Sequence, residues 1–479
     1  MKKLILFAAS AVAVLASCTQ NEEFNSPVAN NETPISFGTY LGRGTRAAAT
    51  GNITTAQVLA QKGGFGVFAY YTESTKYTAG QTAYAPNFMN NQKVEGTNDA
   101  SPVWSYTPLK YWPNANSTTA DNIGAVGEEG GLVSFFAYGP YADAAGTTGI
   151  TKLPTKSDKT DPVIEYTMAA NGENVDLLWG TSNTTSSIAG TTTGQSNEGT
   201  ANTGETLTGG KGKVNANLTK QKVDGKIGFN FKHALAKLGG SGDDATDAKT
   251  GTGLQVVLGV AKKDGSAITG EALDAATKVT IQSITVTNDL QSTDATANEA
   301  AKKSFASKGS LNLATGAWTV ASTDEGATFT STIGKAGETG VTATIKDNLL
   351  YTSTLASLPT GVTTTAQNVY KEETNPIVMI PGTTPQFKIT IKYNVTTADA
   401  ALDGGYSDVT NTITKTITFP TEVEMNKMYN IVLRLGLTDV KVEATVADWE
   451  NGSSATDPDA TDPNNTDGGV SVNLPINVQ

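Results

Sequence analysis

Few side chains in this sequence stand where they could do covalent chemistry, and the clearest is Cys18. It is the single cysteine of the chain and closes Leu15-Ala16-Ser17-Cys18. Ahead of it, Met1-Lys2-Lys3 and an apolar run from Leu4 to Ala16 form a secretory signal, too short to persist as a membrane-spanning helix. Leu-Ala-Ser-Cys resembles the bacterial lipobox, in which the thiol is joined to a diacylglycerol and becomes the mature N-terminus. A lone cysteine has no disulfide partner within the chain, so lipidation is the chemistry expected of Cys18. Each buried acyl CH₂ contributes about 0.8 kcal/mol, so several chains anchor firmly where one binds marginally.

A second reactive position is a peptide bond. Gly42-Arg43-Gly44-Thr45-Arg46-Ala47-Ala48-Ala49-Thr50 is a stretch of small residues carrying two arginines. Exposed segments of this kind are preferred sites of proteolytic nicking. Either arginine, Arg43 or Arg46, could mark the cut.

Other chemistries find weaker support. His233 is the only histidine and lies among Phe229, Phe231, Ala234 and Leu235, where a half-buried ring usually satisfies a local hydrogen bond. A triad needs a convergent nucleophile and acid, and no nucleophile is nominated. Asp457, Asp459, Asp462 and Asp467 fail the calcium-loop pattern, which needs Gly at position 6 and Glu at 12. Trp104, Tyr106, Tyr111 and Trp112 could stack on sugars, but such clusters more often pack within sandwiches. A net charge of −12 argues against nucleic acid, which demands clustered Lys and Arg. We therefore expect no catalytic residue, no metal, no cofactor and no enzymatic activity.

The elements that must position these residues read as strands. Charged residues are only 17 % of the 479, with Thr, Gly, Ala, Ser and Asn in their place, which suits short strands joined by many loops. Pro34–Leu41 predicts a first strand with Ile35, Phe37 and Leu41 as its apolar residues. Phe65–Tyr71, Leu132–Tyr138 and Val175–Gly180 predict further strands, with Trp104–Pro113 between the first two. Residues 181–213 read as a loop or linker. A second block opens at Gly228 and continues through strands at Leu254–Ala261, Lys278–Thr287, Lys308–Val320, Pro376–Ile380, Gln386–Val395, Asn411–Phe419, Met428–Leu435 and Val440–Val446. Period-two alternation with Gly, Asn, Asp and Pro at the breaks is the signature of antiparallel sandwiches. Short helices are expected only at Ala56–Ala60 and Ala295–Lys303. The expected organisation is a signal peptide and lipobox over 1–18, a tether and removable strand over 19–46, one β-sandwich over 47–215, a second over 216–450, an Asp/Pro linker over 451–469 and a tail over 470–479.

That tail alternates without a break: Val470, Val472, Leu474, Ile476 and Val478 face one way, with Ser471, Asn473, Pro475 and Asn477 between them. Such a strand needs ladder partners and a core. Burying five of these side chains contributes at most on the order of 10 kcal/mol before ordering costs. The receiver is either its own domain or a sheet of another subunit, the β-augmentation of donor-strand assemblies. A linker of about 19 residues reaches up to ~60 Å, so distance excludes neither. A cut after Arg46 would remove the strand Ile35–Leu41 together with the lipid. It would leave an apolar groove of the shape that Val470–Val478 of another copy requires.

At this point the sequence resembles the Bacteroides-type fimbrillins, or type V pilins. The resemblance rests on Cys18 in its lipobox, Thr45-Arg46-Ala47, and Trp104…Tyr111-Trp112-Pro113 ahead of Val133–Tyr138. It continues with Phe229…Phe231-Lys232-His233-Ala234-Leu235, Gly316-Ala317-Trp318, Ile380-Pro381-Gly382-Thr383 and Val446-Ala447-Asp448-Trp449. It implies an all-β chain of two transthyretin-like sandwich domains with a C-terminal donor strand. Gln20-Asn21-Glu22-Glu23 resembles the signal that carries such lipoproteins to the outer face of the outer membrane. The resemblance further implies trimming by an arginine-specific protease at Arg46-Ala47, displacement of Ile35–Leu41, and donation of Val470–Val478 to other pilin subunits. The implied product is a shaft subunit of an extracellular fimbrium that supports adhesion to a host or bacterial surface receptor, or biofilm formation. The alternative is a permanently lipidated, surface-exposed glycan-binding protein, which requires Trp104 or Trp112 exposed in a groove.

Overall fold

The computed structural model of the chain describes residues 34–41, 53, 56–73, 75–113, 131–144, 149–170, 174–182, 214–218, 226–238, 254–258, 276–290, 296, 304–320, 328–352, 367–370, 377–438, 440–448, 472–474 and 477–478. The first half contains β1 (Ser36–Leu41), helix α1 (Ala56–Gln61), β2 (Phe65–Tyr71), β3 (Met89–Gly96), β4 (Trp104–Ser105), β5 (Val133–Gly139), β6 (Ile150–Lys152), β7 (Val163–Thr167), β8 (Leu178–Ser182), β9 (Asn215–Leu218) and β10 (Lys226–His233). The second half contains β11 (Ala236–Leu238), β12 (Leu254–Leu258), β13 (Thr277–Thr287), β14 (Lys308–Asn312), β15 (Trp318–Thr319), β16 (Thr330–Gly334), β17 (Ala343–Thr344), β18 (Gln367–Asn368), β19 (Ile377–Met379), β20 (Gln386–Ala398), β21 (Tyr406–Thr418), β22 (Lys427–Leu435), β23 (Val440–Asp448), β24 (Val472–Leu474) and β25 (Asn477–Val478). The described chain is all-β apart from α1 and a few helical residues, as its alternation predicts.

An eight-stranded sheet in the order β1-β10-β8-β5-β2-β3-β4, with β9 on β5, organises the first half. β2 and β5 are near-continuous apolar runs, Phe-Gly-Val-Phe-Ala-Tyr-Tyr and Val-Ser-Phe-Phe-Ala-Tyr-Gly, because both faces of this sheet are covered. Alternate side chains accordingly enter two cores. Phe65, Val67, Phe135, Phe229 and Phe231 pack on one side with Ile35 and Phe37. Phe68, Tyr70, Phe136, Tyr138 and Trp179 enter the other, against Ile150, Ile164, Tyr166 and Leu311 of a four-stranded sheet ordered β15-β14-β7-β6.

The second half forms a seven-stranded sheet around β22 and a six-stranded sheet ordered β17-β16-β13-β20-β21-β25. The sequence boundary at 215/216 does not coincide with a boundary between sheets. β10 pairs with β8 and β1, and β14 pairs with β7, so strands from beyond that boundary complete sheets begun before it. The sheets are also mixed: β1–β10, β11–β22, β12–β22 and β16–β17 are parallel, a detail that alternation cannot encode because it is the same in either direction. Lys308–Val320, read as one strand, is two. Leu313–Thr315 turns, and Gly316 sits at φ +67°. Of the expected helix at Ala295–Lys303 only Thr296 is described, and the linker read over 181–213 starts too early, since Thr181 and Ser182 belong to β8, while 183–213 lie outside the described residues.

Two tryptophans staple the halves together. Trp179 on β8 donates its Nε1–H to the Leu313 carbonyl (2.9 Å), and Trp318 on β15 donates to the Ala234 carbonyl (2.7 Å). A Cβ placed on Gly316 would lie 2.5 Å from the Trp179 ring, and the backbone there is left-handed. Gly316→Ala is therefore expected to lower stability by about 1–3 kcal/mol, measured as a fall in the urea midpoint. An unchanged midpoint would show that this turn does not bear on Trp179.

Candidate functional site: the first strand and its slot

β1 occupies a slot rather than a free edge. On one side it runs parallel to β10, in register from Ser36↔Lys226 to Leu41↔Phe231. On the other, the sheet curls until its far end meets the chain again. The Ile35 N–H donates to the Lys110 carbonyl (2.9 Å), Pro34 bridges Tyr111, and the Tyr106 hydroxyl donates to the Ile35 carbonyl (2.9 Å). Pro34 has no N–H to lose at the mouth of the slot, a position where proline is tolerated. Ile35 and Phe37 are 1 % and 5 % exposed, so the inward residues of β1 belong to the core. Removing both side chains from water contributes ~1.5–3 kcal/mol each.

Phe37 sits in a cage of rings. Its centroid lies 5.3 Å from Tyr106, 6.0 Å from Phe229 in a stacked arrangement, and 6.2 Å from both Phe65 and Phe135 in edge-on contacts. The cage is braced from outside by Phe65 against Trp104 (4.9 Å) and Phe231 (5.2 Å), and by Phe135 against Trp112 (5.8 Å). Burial pushes the Tyr106 hydroxyl above the ordinary tyrosine range, more than its contact with Lys110 draws it back. The folded state thus holds that proton more tightly than the unfolded state. Its contribution is complete below the ordinary tyrosine pKa of about 10 and is lost as pH rises through the raised folded value.

Beyond β1 the chain is caught again at Ile53. This residue is buried and donates its N–H to Asp176 Oδ2 (2.7 Å), while Asp176 Oδ1 lies 2.8 Å from His233 Nδ1. His233 is 4 % exposed on β10, the strand that holds β1, so the ring expected to be half-buried with a local partner is buried and meets Asp176 from 57 residues away. The segment expected to be cleaved runs between these two anchors. Arg43, Arg46 and Ala47 themselves lie outside the described residues, as do Cys18 and the acidic linker.

The expected donor strand is placed in two pieces. β24 pairs antiparallel with β23, Val446↔Val472 through Ala444↔Leu474, and β25 pairs antiparallel with the end of β21 at Ile417↔Val478. Val470 and Ile476 lie outside the described residues. In the single chain, therefore, the tail lies on the edges of its own two sheets through short ladders. Leu41 is placed by its backbone at the far end of β1. Trp112 is buried at 3 % exposure, Tyr106 is buried, and Trp104 packs on Phe65, so these rings line a core rather than an open sugar platform. Among the described residues no three His, Cys, Asp or Glu side chains are grouped to hold a metal, and no helix is long and apolar enough to cross a membrane.

Sequence reading did not find Tyr106, Lys110, Asp176 or Ile53 as parts of this site. The hydroxyl and carboxylate act on backbone groups far away in sequence, and no local pattern marks such contacts.

Comparison with known proteins agrees with this architecture. No protein-family model matches the chain. The fimbrium subunit Fim1C of Phocaeicola vulgatus is 29 % identical over 170 residues, covering 35 % of this chain and 39 % of that protein, so the match spans well under half of the relative's length. The crystal structure of a fimbrial protein from Bacteroides vulgatus ATCC 8482 superposes with a TM-score of 0.53 at 20 % identity, over 87 % of this chain and 99 % of that one. The fold is thus that of a Bacteroides fimbrial protein. Part of the chain is thus similar in sequence to a fimbrium subunit, and its fold to that of a fimbrial protein, in line with the family its motifs resemble.

Tyr106→Phe removes the hydrogen bond to Ile35 and is expected to weaken the seat of β1 by about 1 kcal/mol. Hydrogen exchange of peptides spanning Ser36–Leu41 should quicken severalfold while β5 and β22 are unchanged. Uniform change, or none, would remove Tyr106 from this role.

Proposed function

We propose that this chain is a structural subunit of a bacterial surface fimbrium, in the role of a shaft pilin, assembled by removal of β1 and donor-strand exchange. It reaches the outer face of the outer membrane on the acyl chains of Cys18. An arginine-specific protease then cuts at Arg46-Ala47, with Arg43 the competing site. The cut frees the chain from its lipid and leaves β1 held only by non-covalent contacts. Departure of Ile35–Leu41 opens the slot, and the tail of another subunit fills it. The tail's own work is donation: Val470–Val478 detaches and enters the slot of a neighbour.

The observation that carries this reading is the two-sided seat of β1. Its loss would expose the edge of β10, the Lys110 carbonyl and an aromatic core at once, a state that must be filled rather than left open. The relative energies agree in direction. Among the described residues β1 makes six register pairs, with Ile35 and Phe37 buried, and β24 and β25 make three and two at sheet edges, which favours the tail as the strand to lift.

Cleavage of the purified chain is expected to produce SDS-resistant ladders that Arg46→Ala prevents when Arg43 is also replaced. Deleting 470–479 should abolish ladders after normal cleavage. Ladders that persist without the tail would transfer the donor role to another strand.

A further inference from the structure

We propose that exchange starts at the 38–41 end of β1, and that residues 229–231 of β10 form the docking edge on which the incoming strand first pairs. The inference rests on the donor-strand reading above and names what that reading leaves open, the point of entry. It also gives the chemistry of the entrant: an extended strand of another copy of this chain, with an aliphatic side chain where Thr39 sits.

β1 is held unevenly along its length. At its start the seat is strong: Ile35 is hydrogen-bonded to Lys110 and Tyr106, and Phe37 fills the ring cage. One residue on, Gly38 stands opposite Gly228, so the middle of the ladder has no cross-strand pair of side chains to reinforce it. Thr39 follows. Strand alternation turns its side chain toward the same core as Ile35 and Phe37. There its hydroxyl oxygen is shut off from solvent and meets no hydrogen-bond partner among the described residues. A buried hydroxyl left unpaired forfeits its hydration without return, and so loosens the strand that carries it. The hold on β1 therefore falls off beyond Phe37.

The proposed cut falls on the loose side. Arg43 and Arg46 both follow β1, and the remaining arginine, Arg434, is 4 % exposed within β22. In the uncut chain the loose end is tied onward to Ile53, which Asp176 holds (2.7 Å), so it re-forms in place. Once cut, it peels first. What it uncovers is a firm edge, because residues 229–231 of β10 pair on their other side with residues 180–182 of β8 and stay extended without β1. Phe229 and Phe231 are fully buried in the closed slot, and their uncovering calls for a new apolar strand. An aliphatic side chain at the place of Thr39 supplies the core contact without an unpaired hydroxyl. The apolar face of the tail, Val470, Val472, Leu474, Ile476 and Val478, carries no hydroxyl at all, so another copy's tail gains on β1 at this point. Residues 470–474 suffice to pair along 229–231, with Pro475 outside that ladder.

The test uses the full chain cut by an arginine-specific protease. Thr39→Val keeps the shape of the side chain and removes the hydroxyl. Release of the N-terminal fragment, followed by size exclusion, and growth of SDS-resistant ladders are both expected to slow roughly tenfold, with the rate of cutting unchanged. In the unaltered chain after the cut, residue-resolved hydrogen exchange should show amides 39–41 exchanging about tenfold faster than amides 35–37. Ladders that grow as fast in Thr39→Val as in the parent, or uniform exchange along β1, would overturn the entry point and leave strand exchange intact. A cut parent chain that neither sheds its N-terminal fragment nor forms ladders would instead overturn the donor-strand reading, and this inference with it.

Discussion

A buried strand must have its backbone hydrogen bonds satisfied on both edges, and the N-terminal half of this protein is arranged around that constraint at β1. The curled sheet brings β10 and the Tyr106–Tyr111 segment to opposite sides of one short strand. The slot is thus defined by what it would lack if empty: a row of β10 donors and acceptors, the Lys110 carbonyl, the Tyr106 hydroxyl and the centre of an aromatic core. Covalent continuity with the rest of the chain contributes none of these contacts. Under the proposed cut, a strand that belongs to the core yet is followed by a small-residue segment would be free to exchange as a unit.

The tail is the converse case. It is regular enough to form strand in any suitable groove, and in the single chain it settles on β23 and β21 through short ladders. Those edges would otherwise stand open, a condition proteins commonly avoid by covering them. A tail that covers its own edges until a deeper site is offered would protect the subunit from indiscriminate pairing.

Where the rings sit matters as much as where the ladders run. The eight-stranded sheet is buried on both faces, so the β2 and β5 sequences divide their aromatic residues between two cores, one stapled to the rest of the molecule by Trp179 and Trp318 and the other closed by β1. Loss of β1 opens only the second. Asp176 strengthens this separation by holding Ile53 and His233 together behind the slot, so that the chain following the expected cut remains fixed to the body of the sheet.

Much of this was legible without coordinates. Alternation with Gly, Asn and Pro at the breaks determined an all-β chain, located β1, β2, β5, β10, β13, β20 and β22 closely, and marked Ile35 and Phe37 as inward. These are local consequences of a period of two. Lys308–Val320 shows the limit, because Gly316 breaks that run through a backbone angle that alternation does not record. Tertiary structure alone decided that β1 lies parallel to β10, that β10 and β14 complete sheets begun before residue 215, and that the tail divides between two edges. Direction and partner of a strand depend on residues hundreds of positions away. The same holds for the cage: Phe65, Tyr106, Phe135 and Phe229 carry no common motif, and only the curl of the sheet brings their rings around Phe37.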